Sequence, residues 1–126
     1  MSREKLAQAA ADQPEIGKSI VAMGLKTNYH DEGSGEPIVL IHGSGAGVSA
    51  YTNWRVTIPV LARHSRVIAF DVAGFGFTEL DPNAHYDIEY WLKHLEAFLD
   101  ALGLEKVAFV GNSFGGVLAT HFAVRN

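Results

Sequence analysis

The chain contains no cysteine and no long apolar run. Without cysteine it forms neither a disulfide nor a thiolate metal site, and it has no cysteine nucleophile. No segment reaches the roughly 18 consecutive apolar residues that a membrane-spanning helix requires. The polar residues 1–5 are not followed by the apolar stretch of a secretory signal peptide. These absences favour a cytoplasmic protein that makes no contact with a membrane.

The chain also lacks an excess of charge of one sign. Ten Lys and Arg stand against 14 Asp and Glu, and both signs are mixed along the chain. Because no basic stripe is present, we do not expect nucleic acid or an anionic membrane as a partner. The six histidines lack the spacing of metal ligands, so no metal site is predicted. What the chain does have is 48% hydrophobic residues, enough for the core of one small domain.

Three short apolar runs dominate the hydropathy pattern. Each is continuous and only a few residues long, which is typical of a strand buried on both faces of a sheet. The runs lie at 37–41, 66–71 and 106–110. A looser alternation over 20–29, broken at Gly24, precedes them and predicts an antiparallel hairpin. The sequence therefore predicts five strands.

Helical patterns separate these strands, at 53–62, where Pro59 limits the helix, at 87–102 and from Ser113 onwards. The central helix carries its apolar side chains on one face, with Asp87 as N-cap and Gly103 just past its end. Strands that alternate with helices predict an α/β fold. We expect a mostly parallel sheet with an antiparallel N-terminal hairpin and helices on both faces. Ligands of such sheets bind at the carboxyl ends of the strands.

The most specific motif is Gly111-Asn112-Ser113-Phe114-Gly115, a G-x-S-x-G sequence between a predicted strand and a predicted helix. So tight a turn holds the serine in a strained conformation and presents its hydroxyl at the top of the sheet. The helix N-terminus supplies free N–H groups and partial positive charge where an oxyanion forms. We predict that Ser113 is a catalytic nucleophile. The alternative is a serine N-cap in a glycine-rich turn.

A second glycine-rich loop, at 42–47, follows the first buried strand. An oxyanion hole takes one backbone N–H from the residue after the nucleophile, here Phe114, and another from a separate loop. Within His42-Gly43-Ser44-Gly45, Ser44 is positioned to supply that second N–H. The same residues also fit a plain turn.

No histidine of the chain is placed to act as the general base that a serine nucleophile needs. His121 lies in the same predicted helix as Ser113, roughly 12 Å further along its axis. His42 is assigned a structural role in its loop. Three others are assigned to the surface: His64, His85 and His94. The general base is therefore expected outside this chain.

Three stretches carry a family resemblance: HGSGAGVSAYTNWR at 42–55, RVIAFDVAGFGFT at 66–78 and VGNSFGG at 110–116. Together they resemble the meta-cleavage-product hydrolases. These are α/β-hydrolases that break a carbon–carbon bond in ring-fission products of aromatic degradation. The first stretch is the most specific, and the resemblance runs from about Glu15 to the end. It implies hydrolysis of a 2-hydroxy-6-oxo-2,4-dienoate, a small-molecule substrate, and no metal or organic cofactor.

The resemblance also implies roles for individual residues. Ser113 is the nucleophile or activated hydroxyl, and the backbone N–H groups of Ser44 and Phe114 form the oxyanion hole. The substrate-binding residues are Gly43, Asn53 and Asn112. The two asparagines hydrogen-bond the oxygens at the dienoate end of the substrate. Taken alone, Asn53 also fits a helix cap, and Asn112 fits a turn residue.

The family pattern continues past Asn126, where the histidine and acid of the triad, the lid helices and the last strands are expected. Residues 1–15 are assigned to a leader that we expect to be mobile, and residues 16–126 to an incomplete α/β-hydrolase core of strands one to five. The expected strand order, 1-2-4-3-5, leaves 106–110 as an exposed apolar edge. Ala46 stands where the family usually has proline. Because the family is often oligomeric, a homo-oligomer stays open for the full-length form.

Three alternatives also stay open. A carboxylesterase of the same fold shares Ser113 and Ser44 but has no need of Asn53. A truncated chain that lacks its base is inactive. More remotely, Gly45 to Ala50 fits the dinucleotide fingerprint G-x-G-x-x-A, with Asp71 as the ribose-binding acid at the end of the next strand. An acid at a strand end more often ties down a loop, which is the role that we expect for Asp71.

Overall fold

The computed structural model describes residues 13–126. Within this range the chain forms five strands: Lys18–Ala22 (β1), Leu25–Glu32 (β2), Pro37–Ile41 (β3), Arg66–Phe70 (β4) and Ala108–Gly111 (β5). The same residues form four helices: Ala50–Trp54 (α1), Thr57–Leu61 (α2), Ile88–Ala101 (α3) and Phe114–Arg125 (α4). None of these helices is both long enough and apolar enough to cross a membrane.

The strands form one mixed sheet in the order β1-β2-β4-β3-β5. β1 and β2 are an antiparallel hairpin, and β2 also pairs antiparallel with β4, whereas β3 pairs parallel with both β4 and β5. The hairpin turns at Met23 and Gly24, whose φ angles of 54° and 76° give a turn with a twist that suits its flanking strands. The predicted fold class and strand order are confirmed.

Helices cover both faces of the sheet because side chains alternate along its buried strands. On one face, Ile41 of β3 and Phe70 of β4 pack in a cluster with Phe98 of α3. On the other face, Leu40 of β3 packs in a second cluster with Trp54 of α1. Each fully buried side chain of this size stabilises the fold by roughly 1.5–3 kcal/mol. The continuous apolar character of β3 and β4 follows from this burial on both sides.

The helix α3 is bounded as the sequence predicts. Asp87 caps it by accepting a hydrogen bond from the backbone N–H of Tyr90 (2.9 Å). At the other end Gly103 has a φ of 72°, and its N–H donates to Asp100 O (3.0 Å). Glycine adopts this left-handed conformation without steric cost, so it ends the helix.

The helical segment after β3 differs from the prediction of one helix over 53–62. The structure has two short helices, α1 and α2, with a break at Arg55 and Val56. α1 begins earlier than predicted because Ser49 and Thr52 form a capping box, in which each side chain accepts from the other residue's backbone N–H. The break arises because Pro59 has no N–H to donate to the carbonyl of Arg55, four residues earlier.

The three parallel strands end level with one another. Ile41 of β3 is paired with Phe70 of β4 on one side and with Gly111 of β5 on the other. The loops that follow these strands therefore leave the sheet at the same end, where ligands of α/β sheets bind.

β5 lies at the end of the strand order. It begins at Ala108, two residues later than predicted, and Ala108 and Val110 are both exposed. Within residues 13–126, β5 is therefore an edge strand with exposed apolar side chains, as predicted. Such an edge presents a row of unpaired backbone groups to which another strand can add.

Residues 1–12 of the predicted leader lie outside the described residues, so its boundary with the core stays a prediction. Glu15, the last residue assigned to the leader, is bound to the sheet. Its backbone oxygen accepts from Asn28 Nδ2 (2.8 Å), and a ring nitrogen of His30 lies 3.1 Å from the same oxygen. Its carboxylate accepts from the hydroxyl of Ser49 (3.3 Å). Glu15 therefore joins β2 to the N-cap of α1.

Candidate active site

Ser113 stands at the turn between β5 and α4. Its φ of 54° and ψ of −108° place it in a region that residues other than glycine rarely adopt. Such backbone strain costs roughly 1–3 kcal/mol and persists where the surrounding structure enforces it. The side chain is exposed, and within residues 13–126 its hydroxyl has no hydrogen-bond partner. The predicted strained turn is confirmed, and the nucleophilic role stays a prediction.

Two glycines allow this turn to close against the neighbouring strand. A Cβ on Gly115 would overlap the backbone carbonyl of Ile41 in β3 and would lie 2.8 Å from His42 O. A Cβ on Gly111 would overlap the backbone of Gly115 itself. The N–H of Asn112 donates to Ile41 O (3.0 Å), which ties the turn to β3. Packing alone therefore requires glycine at both flanking positions of the motif.

The two predicted oxyanion donors lie in loops that leave neighbouring strands. Ser44 follows β3, and Phe114 is the first residue of α4, just beyond β5. Neither backbone N–H donates to an acceptor in the part of the chain that the structure describes. The N-terminus of α4 adds a partial positive charge. The structure places both loops at one end of the sheet, and their joint action as an oxyanion hole stays a prediction.

Asn53 and Asn112 meet beside Gly43. Asn53 Oδ1 accepts from the N–H of Gly43 (2.9 Å) and from Asn112 Nδ2 (2.9 Å). Because a backbone N–H can only donate, it fixes the oxygen of Asn53 toward Gly43 and hence the nitrogen of Asn112 toward that oxygen. The three residues predicted to bind substrate thus form one cluster. Asn53 lies inside α1 and does not cap it.

His94 is not the surface residue that we expected. It is fully buried on α3, where its Nδ1 accepts from Ala73 N–H (3.2 Å) and its Nε2 therefore donates to Thr27 Oγ1 (2.9 Å). Burial lowers the pKa of His94 to about 4, so the ring is neutral at pH 7. The spacing already indicated burial, since His94 lies three residues after Trp91 and four before Phe98, on the apolar face of the helix.

His42 has the structural role predicted for it. Its Nε2 accepts from Val72 N–H (3.0 Å), and its Nδ1 donates to Gly43 O (2.7 Å). Burial lowers the pKa of His42, against the opposing effects of the Gly43 hydrogen bond and the charge of Asp71. With both nitrogens engaged, His42 has no lone pair free to act as a base. Together, His42 and His94 hold two consecutive residues of the loop after β4.

Asp71 ties down loops, as expected. It is fully buried, and its carboxylate accepts from the N–H of Ala50 at the start of α1 (2.7 Å) and from the N–H of Phe77 (2.9 Å). A third hydrogen bond comes from Asn28 Nδ2 (2.9 Å). A carboxylate held by three protein donors is not available to a ribose. The structure therefore argues against the dinucleotide-binding alternative.

The remaining histidines do not contact the serine hydroxyl. His64 and His85 are exposed, as predicted. His121 of α4 lines a surface concavity that Ser113 also lines, but no hydrogen bond joins these two residues. Among residues 13–126, no group of three or more His, Asp or Glu is arranged to hold a metal ion. The described residues thus supply a serine and two N–H donors, with no base in contact with the serine.

The sequence is similar to those of several hydrolases. The alpha/beta hydrolase fold family matches residues 36–126. A 2-hydroxy-6-oxo-2,4-heptadienoate hydrolase of Pseudomonas putida is 55% identical over 111 residues, which are 88% of this chain and 40% of that protein. A 2-hydroxymuconate semialdehyde hydrolase of Pseudomonas sp. strain CF600 is 48% identical over 118 residues, 94% of this chain and 42% of that protein.

A solved structure gives the same result in three dimensions. The meta-cleavage product hydrolase of Pseudomonas fluorescens IP01 superposes with a TM-score of 0.88 at 56% sequence identity, over 89% of this chain and 41% of that one. The chain therefore spans about two fifths of the length of the relatives that it matches. The family match includes β3, β4, β5 and the Ser113 turn. The chain belongs to the alpha/beta hydrolase fold family.

Proposed function

We propose that this chain is the nucleophile-bearing part of a serine hydrolase that cleaves a carbon–carbon bond in a 2-hydroxy-6-oxo-2,4-dienoate. The observation that carries the proposal is the Ser113 turn, with an exposed hydroxyl on strained backbone next to a helix N-terminus. The cluster of Gly43, Asn53 and Asn112 supports it, as do two relatives, 48% and 55% identical, that are named as hydrolases of such compounds. The histidine and acid of the triad are proposed to follow Asn126.

In this proposal Ser113 acts on the carbonyl carbon beside the scissile bond, after ketonisation of the 2-hydroxy group. The attacking oxygen is that of Ser113 or of a water that Ser113 activates, and its addition turns the carbonyl oxygen into an oxyanion. The N–H groups of Ser44 and Phe114 donate to that oxyanion, at roughly 3 kcal/mol per donor. Cleavage leaves a carbanion, which the ketonised end stabilises and which is then protonated. Water supplies the hydroxyl of the acid product.

The asparagine pair is proposed to bind the dienoate end of the substrate. Its free groups within residues 13–126 are the donor Asn53 Nδ2 and the acceptor Asn112 Oδ1. A carboxylate beside an enol hydroxyl offers an acceptor next to a donor, which complements the pair. A simple ester offers no such arrangement. The asparagines therefore separate this proposal from that of a carboxylesterase, which needs only Ser113 and Ser44.

Replacing Asn53 by aspartate is expected to separate the two activities. Asn53→Asp keeps the oxygen that accepts from Gly43 and Asn112 but removes the donor and adds a charge that repels a carboxylate. In the full-length protein, we expect kcat/KM for a 2-hydroxy-6-oxo-2,4-dienoate to fall by about 10²–10³-fold. For a nitrophenyl ester we expect a loss of less than about threefold, since no carboxylate is bound. Absorbance assays measure both reactions.

Ser113→Ala is the matched control, and it is expected to abolish both reactions. Equal losses on the two substrates in Asn53→Asp would contradict the dienoate assignment and favour an esterase. Retention of both reactions in Ser113→Ala would overturn the proposal of a serine hydrolase as a whole.

The proposed function also includes the location, the partners and the full length of the enzyme. We place it in the cytoplasm, acting on a small molecule, without nucleic acid, a membrane or a cofactor as partner, and a homo-oligomer stays open for the full-length form. We expect the intact mass of the protein isolated from its natural source to exceed twice the 13.6 kDa of this chain. A mass of 13.6 kDa would mean that Ser113 needs a partner chain to supply its base, or that the protein is not an enzyme.

A further inference from the structure

An aromatic cluster joins the two loops that carry the proposed oxyanion donors. Phe75, in the loop after β4, has its ring centroid 5.1 Å from that of His42 and 5.6 Å from that of Phe114. Trp91 of α3 packs edge-on against Phe114, with centroids 4.8 Å apart. The ring of Phe75 thus lies between the first residue of one donor loop and the residue that carries the other donor.

Hydrogen bonds fix this cluster from both sides. Trp91 Nε1 donates to Ala73 O (2.9 Å), and the N–H of Phe75 donates to Val72 O (2.9 Å). The N–H of Val72 in turn donates to His42 Nε2 (3.0 Å). These bonds hold the backbone of Phe75 and the Trp91 and His42 rings that pack beside it, and so restrict where the Phe75 ring can lie. It therefore acts as a spacer of fixed thickness between the loops.

The position of Phe114 depends on this packing. It follows the strained residue Ser113 directly, and its side chain packs on the rings of Phe75 and Trp91. Those contacts limit how far the Phe114 N–H can turn away from an oxyanion. A misplacement of about 1 Å in a catalytic group can cost on the order of 10²-fold in rate. A displacement of the Phe114 N–H caused by altered packing of its side chain can therefore be large enough to affect the rate.

We infer that Phe75, supported by Trp91, is a positioning residue that sets the separation between the N–H donors of Ser44 and Phe114. It acts through His42 and Gly43 on one side and through the Phe114 ring on the other. The inference rests on the proposed function, because an oxyanion hole serves catalysis only if Ser113 is the nucleophile.

Phe75→Leu in the full-length protein tests this role. We expect kcat to fall about 10–100-fold on both the dienoate and the nitrophenyl ester, with KM changed less than about threefold. An arylboronic acid that forms a tetrahedral adduct with Ser113 is expected to bind more weakly by the same factor as kcat, because it places an oxygen in the oxyanion hole. Affinity for the carboxylate product is expected to stay unchanged. Phe75→Tyr, which keeps the ring, is expected to retain kcat and boronate affinity.

Phe109→Leu is the matched control. The Phe109 ring is also half-buried and packs on the same core cluster as Phe75, but among the described residues its aromatic contact is with Phe122 (5.6 Å, edge-on) and not with Phe75, Trp91 or Phe114. Its loss is expected to lower thermal stability without changing the ratio of boronate to product affinity. Trp91→Phe keeps a ring but loses the hydrogen bond to Ala73. It is expected to lower kcat and boronate affinity by about 3–10-fold, less than Phe75→Leu does.

The possible outcomes distinguish failure of the positioning role of Phe75 from failure of the proposed hydrolase function. The positioning role is overturned, while the hydrolase stands, if Phe75→Leu and Phe109→Leu change kcat and boronate affinity equally. It is also overturned if Phe75→Leu and Trp91→Phe change neither kcat nor boronate affinity. If the unmodified full-length protein neither turns over substrate nor binds the boronic acid, the proposed function fails, and the positioning role fails with it.

Discussion

Gly115→Ala is expected to lower the free energy of unfolding by about 3 kcal/mol or more, a large part of the roughly 5–15 kcal/mol that stabilises a typical domain. The added methyl group would overlap the backbone carbonyl of Ile41 and crowd that of His42. The Ile41 carbonyl cannot move aside easily, because β3 is paired with β4 on one side and with β5 on the other. The clash must therefore be relieved by displacing the whole Ser113 turn.

The neighbouring residue Gly116 provides a matched control. A Cβ there would meet Gly111 O at 3.4 Å, an ordinary van der Waals contact, and alanine is favoured over glycine in a helix by about 1 kcal/mol. Gly116→Ala is thus expected to be neutral or slightly stabilising. Urea unfolding followed by circular dichroism measures both variants. A Gly115→Ala protein within about 1 kcal/mol of the unmodified protein would show that the turn is not packed against β3.

The same steric demand explains why the Ser113 turn could be predicted from the sequence. The contacts that shape it lie within a few residues or against the adjacent strand, and glycine is the residue that permits them. The presence of Gly111 and Gly115 in the motif therefore indicates how tightly the Ser113 turn packs. The buried strands were equally predictable, since a strand covered on both faces has no polar face to interrupt its apolar run.

The contacts that hold the loops together could not be predicted in this way. His94 reaches Ala73, and His42 reaches Val72, across 21 and 30 residues of chain. No local pattern marks such a pair, and histidine as a residue type is found both inside proteins and on their surfaces. Asn53 illustrates the same limit. Its place in the cluster was expected, but only the Gly43 N–H beside it decides which end of its amide is free.

The break between α1 and α2 has a different origin. Apolar periodicity over 53–62 favoured one helix, while the capping box at Ser49 and the missing N–H of Pro59 specified two. Local hydrogen bonding outweighed the periodic pattern here because so short a helix gains little from burial. The consequence reaches the candidate site, since the earlier start of α1 places Asn53 in its last turn, facing Gly43.

Stability is expected to fall steeply as the pH drops from 6.5 to about 4, because His94 is buried as a neutral ring with its pKa lowered to about 4 from 6.5. Between these values the unfolded chain binds a proton that the folded chain does not. The contribution of the neutral His94 ring to the free energy of unfolding is therefore complete above pH 6.5 and is lost as the pH falls. A pKa difference of this size corresponds to about 3 kcal/mol at pH 4. The lowered pKa of His42 acts in the same direction.

His94→Gln separates this effect from general acid denaturation. Glutamine does not titrate, yet its carbonyl can accept from Ala73 and its amide can donate to Thr27. We expect the variant to be about 1–2 kcal/mol less stable at pH 7 but to lose about 3 kcal/mol less than the unmodified protein on acidification to pH 4. His121→Gln, at an exposed position on α4, is the control and is expected to keep the original pH dependence. Urea unfolding at several pH values measures all three proteins. The same loss of stability in His94→Gln as in the unmodified protein would show that another group, and not this histidine, sets the acid limit.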